Sequence, residues 1–167
     1  GLMDKLPSEL ALLPVIESGF RPTAVSSSSA AGLWQFVPGT AAIRGLSRDS
    51  WVDESVDIVT STNAALDYLE DLNRMFGGDW LLTLAAYNGG PGYISRMREA
   101  NRKAGRGTRF RDLPVRDETR SYVWRMLALR QLVLRPAAGG IRLPDIVNAP
   151  YFAAVDVHAP LDLNQLA

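Results

Sequence analysis

Cysteine is absent from this chain of 167 residues, and histidine occurs once, at His158. The absence of Cys excludes disulfides, thiol catalysis and cysteine-based zinc sites. A single His excludes a histidine metal cluster and argues against a Ser-His-Asp triad, so we expect no metal and no cofactor. Any acid–base chemistry must therefore depend mainly on carboxylates, tyrosines or arginines.

Long apolar runs are also absent. No stretch reaches the roughly 18 residues that a transmembrane helix needs, so the sequence predicts no membrane-spanning segment. The first residues lack the basic and apolar regions of a signal peptide. Either the protein is cytoplasmic or the sequence is a mature or trimmed segment. Its 47% hydrophobic and 22% charged residues are typical of a globular domain with one core.

The chain also has no excess of positive or negative charge, since the formal net charge is zero. That balance argues against a general nucleic-acid binder, and we expect no nucleic-acid partner. The charges are nevertheless uneven, because acidic residues dominate between Asp49 and Asp79. Basic residues dominate the following segment, which we call the basic band: Arg96, Arg98, Arg102, Lys103, Arg106, Arg109, Arg111, Arg116, Arg120 and Arg125. The basic band is interpreted either as a solvated face or as a surface that attracts an acidic polymer.

Apolar spacing predicts six or seven helices and no strand before residue 140. The predicted helices share short Gly or Pro turns at their ends. They run from an N-cap at Ser8 to Gly19 with a bend at Pro14, from the residue after the turn Pro38-Gly39-Thr40 to Gly45, from Ser55 to Met75, from Trp80 to Tyr87 with Asp79 as cap, from Pro91 to about Ala104, and from Asp117 to Leu134. After residue 140, three prolines interrupt any helix, and residues 156–164 are interpreted as a short extended piece or a linker.

Glu17 is the most informative residue, because it ends an otherwise apolar segment. Leu10, Leu13 and Glu17 are spaced to share one helical face, which should point into the protein. Burial there would disfavour the charged carboxylate and raise its pKa, as a general acid near neutral pH requires. The alternative is that Glu17 lies near the helix end and turns out to solvent.

Two further polar positions lie at the ends of apolar elements, at Gln35 and at Tyr87-Asn88. Taken alone, Gln35 is more typical of a satisfied core amide and Tyr87 of packing. The glycine run after Asn88 follows a helix and lacks the lysine of a P-loop, so it does not predict a phosphate site. We interpret Gly89 and Gly92 as positions where the backbone approaches a flat ligand.

Four motifs, taken in order, resemble the catalytic domain of lytic transglycosylases, enzymes that cut the glycan strands of bacterial peptidoglycan. They are Glu-Ser at 17–18, Gly-Leu-Trp-Gln-Phe at 32–36, Ala-Tyr-Asn followed by Gly-Gly-Pro-Gly at 86–92, and Glu-Thr-Arg-Ser-Tyr-Val at 118–123. Trp34 stands where soluble members usually have Met. With residues 77–82, this variant resembles the membrane-bound D branch of the family.

The resemblance implies an all-α, lysozyme-like fold with a substrate groove over residues 1–136. Residues 137–167 would be a Pro-rich extension or linker toward LysM repeats that the sequence does not contain. The resemblance also implies that Glu17 is the catalytic acid/base. The substrate-binding positions that it implies are Ser26, Gln35, Tyr87, Asn88, Glu118 and Tyr122. Ser27, Ser28 and Ser29 leave the choice of serine open, since a shift of one residue would select a neighbour.

The activity implied is cleavage of the β-1,4 linkage between MurNAc and GlcNAc with formation of 1,6-anhydromuramoyl ends and without water. The expected partner is the peptidoglycan glycan strand, and the expected state is a monomer. The resemblance implies a periplasmic or cell-envelope location and allows an outer-membrane anchor in a longer parent protein. Two alternatives remain, which are a peptidoglycan hydrolase like goose-type lysozyme and a non-catalytic glycan-binding domain.

Overall fold

Helices make up the regular structure of the protein, as a computed structural model of residues 7–147 and 149 shows. Six α-helices occur in these residues: α1 (Leu13–Glu17), α2 (Pro38–Ile43), α3 (Ile58–Met75), α4 (Trp80–Gly89), α5 (Pro91–Lys103) and α6 (Asp117–Leu134). Short 3-10 turns cover Ser8–Leu12, Phe110–Asp112 and Pro136–Gly139. Over the same residues, β contacts are limited to isolated bridges such as the one between Ala31 and Phe36. The predicted all-α class is confirmed.

Helix α4 is the centre of the fold, because it packs against α3, α5 and α6. Its residues 82–86 are buried, as its nearly all-apolar sequence predicts. The carboxylate of Asp79 caps it by accepting the N–H groups of Leu81 and Leu82, at 2.9 and 3.1 Å. The helix continues two residues beyond the predicted end and carries Tyr87 and Asn88 to one edge of the core.

The start of α3 differs from the prediction. Asp57, rather than Ser55, is the cap, since its carboxylate accepts the N–H of Thr60 at 2.6 Å while its own backbone stays extended. Ser55 is buried outside the helix. Ile58 lies in an exposed first turn and is 42% exposed, whereas Leu69 is fully buried. The buried face of α3 therefore begins at Ser61, after the first turn.

The N-terminal helix is shorter than predicted. Ser8 makes no side-chain cap, and a 3-10 turn precedes α1. Pro14 lies in the first turn of α1, where helical N–H groups have no partner within the helix, so it does not bend a longer helix as expected. The helix ends at Glu17 rather than at Gly19, which adopts a left-handed φ of +62°. Glu17 is therefore the last residue of a short rigid element.

The remaining helices agree with the predictions to within a few residues. Helix α2 ends two residues before Gly45, α5 ends at Lys103, and α6 has the predicted bounds. Met126 is buried in α6, but Val133, seven residues later on the same face, is 37% exposed. The segment 105–114 between α5 and α6 is anchored by the buried side chains of Phe110 and Leu113.

Several expectations concern residues that the structure does not describe. His158 and the segment 156–164 lie outside the described residues, and so does most of the predicted extension 137–167. Among the helices described, none combines the length and the apolarity that crossing a membrane requires.

Candidate active site

A cleft of about 520 Å³ brings together all of the predicted site residues. They come from α1, from the loops between α1 and α2, from the end of α4 and from α6. The residues lining the cleft are Ile16, Glu17, Ser26, Ser28, Ala30, Gln35, Phe36, Val37, Thr40, Tyr68, Tyr87, Asn88, Gly89, Gly90, Pro91, Glu118, Tyr122 and Arg125.

Glu17 lies in this cleft with a partly buried carboxylate. The buried hydroxyl of Tyr122 donates a hydrogen bond to its Oε1 at 2.5 Å. Burial raises the pKa of Glu17 to about 7, and the hydrogen bond from Tyr122 and the positive charge of Arg125 oppose that rise. The alternative in which Glu17 turns out to solvent is therefore wrong. The carboxyl group can exchange a proton near neutral pH.

Ser18 fixes the end of α1. It is 4% exposed, and its hydroxyl lies 2.9 Å from the carbonyl oxygen of Leu33 and 3.2 Å from that of Pro14. Leu33 belongs to the segment that carries Gln35. Glu17 therefore lines the cleft, whereas Ser18 connects the end of α1 to the segment 32–36 by a hydrogen bond.

Gln35 occupies a tight turn of the segment 32–36 and has a left-handed φ of +51°. Its side-chain Nε2 donates to the carbonyl oxygens of Gly32 and Ala24, at 2.8 and 3.1 Å. Gly32 itself has a φ of +82°, and a Cβ there would lie 1.7 Å from the carbonyl oxygen of Ser55. Gln35 is thus an amide satisfied by the backbone, as expected from the sequence alone, and it also lines the cleft.

Tyr87 combines packing with a polar contact. Its hydroxyl donates to the carbonyl oxygen of Trp34 at 2.9 Å, and its ring centroid lies 5.6 Å from that of Tyr68. Burial holds the pKa of Tyr87 well above its usual range, so its phenol stays protonated. Trp34 is also held from its other side, because its Nε1 donates to the hydroxyl of Thr62 at 2.8 Å. These contacts fix the backbone of the segment 32–36 against α3 and α4.

Asn88 presents a buried acceptor to the cleft. Its Oδ1 has no hydrogen-bond partner in the part of the chain that the structure describes. Buried polar atoms are almost always hydrogen-bonded in native proteins. This oxygen is therefore available to a donor on a ligand.

The interpretation of the neighbouring glycines as positions where the backbone approaches a ligand stays a prediction, and packing gives Gly89 a further reason. A Cβ on Gly89 would lie 3.0 Å from Oγ1 of Thr119 and 3.2 Å from the ring of Tyr93. Close packing of α4 on α5 and α6 explains Gly89, although its backbone borders the cleft. Gly92 is exposed and does not line the cleft.

Two of the four consecutive serines line the cleft, and they are Ser26 and Ser28. The hydroxyl of Ser26 accepts the N–H of Ala30 at 3.1 Å and lies 2.9 Å from the hydroxyl of Ser28. The open choice among the serines is thus reduced to this hydrogen-bonded pair.

Within residues 7–147, Glu118 is the one acidic residue besides Glu17 that lines the cleft, and it is exposed. Three acidic residues in the segment before α3 have structural contacts instead. Asp53 pairs with Arg48 at 3.0 Å, Glu54 accepts a backbone N–H at 2.7 Å, and the side chain of Asp57 caps α3. Only Glu118 therefore remains as a second carboxylate.

Sequence reasoning missed Tyr68 and the position of Arg125 in the cleft. Tyr68 has the spacing of a core residue of α3, and it is 8% exposed beneath the guanidinium of Arg44. Arg125 follows Tyr122 by three residues, so helical spacing could have placed it on the same face. Within residues 7–147, no cluster of His, Asp or Glu has an arrangement that could hold a metal ion.

The helical scaffold with its cleft defines a lysozyme-like fold, and comparison with solved structures supports this class. The chain aligns with the 70 kDa soluble lytic transglycosylase SLT70 from Escherichia coli at a TM-score of 0.61 and 29% identity, over 80% of this chain and 22% of that one. A second alignment, with the lytic transglycosylase Slt from Pseudomonas aeruginosa, has a TM-score of 0.56 and 22% identity, over 81% of this chain and 22% of that one. The second likeness concerns the fold alone.

The sequence places the chain in a particular family. The profile of the Transglycosylase SLT domain matches residues 4–109, and the chain belongs to this family. It is 41% identical over 162 residues to membrane-bound lytic murein transglycosylase D of Escherichia coli strain K12, which covers 97% of this chain and 36% of that protein. It is 33% identical over 159 residues to a putative tributyltin chloride resistance protein of Alteromonas sp. strain M-1, over 95% of this chain and 75% of that protein.

The family resemblance seen in the four motifs is therefore confirmed. The chain spans only 36% of the length of murein transglycosylase D, so what the longer protein does as a whole does not follow from the match.

Proposed function

We propose that the chain is a lytic transglycosylase domain that cleaves the β-1,4 linkage between MurNAc and GlcNAc in peptidoglycan and leaves 1,6-anhydromuramoyl ends. The observation that carries this proposal is the carboxyl group of Glu17, which lies in the cleft, accepts a hydrogen bond from Tyr122 and has a pKa of about 7. The name of the 41% identical relative, a lytic murein transglycosylase, supports the choice of substrate.

In the first step, protonated Glu17 donates its proton to the glycosidic oxygen, and the bond from C1 of MurNAc to that oxygen breaks with the electron pair going to oxygen. The carbonyl oxygen of the substrate's own N-acetyl group stabilises the positive charge at C1. The free Oδ1 of Asn88 would accept a hydrogen bond from a substrate N–H or O–H, and the pair Ser26–Ser28 offers hydroxyls on the facing loop.

In the second step, Glu17 is ionised and acts as a base. It removes the proton of the C6 hydroxyl of MurNAc while O6 forms a bond to C1, so the sugar closes on itself. Glu17 ends the cycle protonated, and no water is consumed. Tyr122 stabilises the carboxylate between the two steps, because a hydrogen bond to the ionised form favours that form.

A single acid is enough for this cycle, which distinguishes it from an ordinary glycosidase. Retaining and inverting hydrolases use two carboxylates on either side of the scissile bond. In the described part of the cleft, the second candidate is Glu118, which lies exposed in the first turn of α6. A hydrolase like goose-type lysozyme is the alternative, and it would need Glu118 to activate a water molecule.

The proposal extends to the protein that contains this domain. We assign the catalytic unit to residues 1–136 and a connecting role to residues 137–167, and we expect a monomer in the cell envelope, with an outer-membrane anchor carried by a longer chain. The support is the membrane-bound relative, of which this chain spans 36%.

The products of digestion test the chemistry. Purified sacculi are incubated with the chain in water labelled with heavy oxygen, and the released muropeptides are analysed by mass spectrometry. The proposal requires ends that are lighter than hydrolysis products by one water and carry no label. Labelled reducing ends would establish a hydrolase, and binding to glycan without any release would establish a non-catalytic domain.

A further inference from the structure

Arg125 is the one cationic residue among the described residues that line the cleft. It is exposed, and it follows Tyr122 by three residues on α6. Residues with this spacing are neighbours on a helix surface, about 5 Å apart. Arg125 therefore lies roughly one helical turn from Tyr122, whose hydroxyl is hydrogen-bonded to Glu17. Its charge reaches Glu17, since it lowers the pKa of that carboxyl group against the effect of burial.

The other members of the basic band lie outside the cleft lining, and several have partners. Arg102 pairs with Glu99 at 2.8 Å, and Arg109 pairs with Asp112 at 3.4 Å. Arg106 donates to Oδ1 of Asn101, Arg116 lies over the ring of Tyr93, and Arg120 donates to the carbonyl oxygen of Leu113. Of the basic band, only Arg125 is therefore placed to contact a ligand in the described part of the cleft.

The guanidinium of Arg125 makes no hydrogen bond and no ion pair with any group in the described part of the chain. A guanidinium carries five N–H donors in a planar fork that matches the two oxygens of a carboxylate. Glu118 also lines the cleft, but the two side chains are not within ion-pair distance. Arg125 is thus left to bind an anionic group that enters the cleft.

We propose that Arg125 binds a carboxylate of the stem peptide on the MurNAc beside the cleaved linkage, so that the domain prefers strands that carry these charges. This inference rests on the proposed function, which supplies the substrate. Peptidoglycan stems begin on the MurNAc ring and carry carboxylates, which places an anion near the reacting centre. Arg125 would then determine specificity and would affect the KM of the reaction more than its kcat.

A binding experiment tests this subsite without relying on turnover. Glycan strands with intact stem peptides are compared with the same strands after their carboxylates have been converted into neutral methylamides. Glu17→Gln should bind the charged strands about threefold to tenfold more tightly by calorimetry, as expected for one partly exposed charge-assisted contact. Adding Arg125→Gln should abolish this preference, and adding Arg125→Lys should keep part of it. Arg111→Gln is the matched control, because Arg111 is exposed and does not line the cleft.

The outcomes separate the subsite from the chemistry. Equal affinity of Glu17→Gln for the two kinds of strand would overturn the subsite, and so would a preference that survives Arg125→Gln. In the active chain, Arg125→Gln should raise KM on charged strands only, and a fall in kcat on both kinds of strand at constant KM would show that Arg125 acts on Glu17 instead. A chain that shows the binding preference but forms no anhydro ends would refute the proposed function and leave the subsite intact.

Discussion

Tyr122 donates a hydrogen bond to Glu17 at 2.5 Å, and this bond connects two residues that lie 105 positions apart in the sequence. The two residues meet because α1 and α6 pack against each other. Burial favours the neutral form of Glu17 and the hydrogen bond favours its charged form, so the two effects oppose each other and leave a pKa of about 7. A group with this pKa can serve as acid and then as base within one cycle.

Replacement of the acid should abolish turnover. We expect Glu17→Gln to lower kcat by on the order of 10³-fold, because an amide cannot donate the proton that the leaving oxygen needs. Binding to glycan should remain, since Gln has the same size and its oxygen can still accept from Tyr122. The release of muropeptides and glycan affinity measure the two effects.

A matched control for this variant is Glu9→Gln. Glu9 pairs with Arg130 at 2.9 Å and does not line the cleft, so turnover should stay close to that of the wild type. Undiminished muropeptide release by Glu17→Gln would remove Glu17 from the mechanism, and equal losses in the two variants would indicate a general effect on folding.

The pH dependence of the rate should report the protonation of Glu17. The acid must be protonated in the free enzyme, so kcat/KM should fall as the pH rises through about 7. Tyr122→Phe removes a hydrogen bond that favours the charged form, and the pKa of Glu17 should therefore rise. Initial rates measured across pH should show the alkaline limb at a higher pH in this variant, together with a lower maximal rate. A limb that moves to lower pH would contradict this account of the hydrogen bond.

The same carboxyl group should make the folded state less stable at neutral pH than in acid. The pKa of Glu17 is about 7 in the folded protein and 4.5 in the unfolded chain, so the folded protein binds the proton more tightly. Its contribution to stability is complete below pH 4.5, is lost as the pH rises from 4.5 to about 7, and is constant above that. The total is roughly 3 kcal/mol, because the pKa rises by about 2.5 units and one unit corresponds to about 1.4 kcal/mol.

Urea denaturation of the wild type and Glu17→Gln measures this effect. The variant should gain stability relative to the wild type between about pH 4 and about pH 8, because Gln has no proton to lose. A difference between the two proteins that does not vary with pH would mean that the pKa of Glu17 is not raised in the folded state.

The sequence was sufficient to predict the features that depend on local order. Helix α6 has the bounds that its apolar spacing predicts, and the capping of α4 by Asp79 follows from one carboxylate before an apolar run. Glu17 was identified because burying a carboxylate at the end of an apolar helix face costs free energy, so its presence there indicates a function. Most of the predicted site residues lie at the end of a helix or in a loop, whereas Tyr122 lies within α6, and all of them line one cleft.

Features that depend on tertiary packing could not be predicted. The 3-10 turn before α1 and the late start of α3 depend on Pro7 and Asp57, whose backbone conformations the apolar pattern does not reveal. Tyr68 has the same local pattern as a core residue, and only the packing of α3 beside the cleft distinguishes it. The packing role of Gly89 could not be predicted because the residue that it contacts, Thr119, lies 30 positions further along the chain.

We expect a substitution at Gly32, in the turn that contains Gln35, to be tolerated less well than other substitutions around the cleft. Gly32 has a φ of +82°, and a Cβ there would lie 1.7 Å from the carbonyl oxygen of Ser55. Backbone strain and this clash together should make Gly32→Ala destabilising by at least about 3 kcal/mol. The clash is with backbone, so no side-chain rotation can relieve it. Urea denaturation measures the loss directly.

Gly39→Ala is the control for that substitution, because it adds the same methyl group in the same region. Gly39 lies in α2 and has no left-handed φ, and a Cβ added there would meet no other atom within 4 Å. Alanine there should stabilise the protein by up to about 1 kcal/mol, since it restricts the unfolded chain and favours the helix. If Gly32→Ala were as stable as Gly39→Ala, the segment 32–36 would not be held against Ser55 as the structure has it, and the position of Gln35 in the cleft would lose its physical basis.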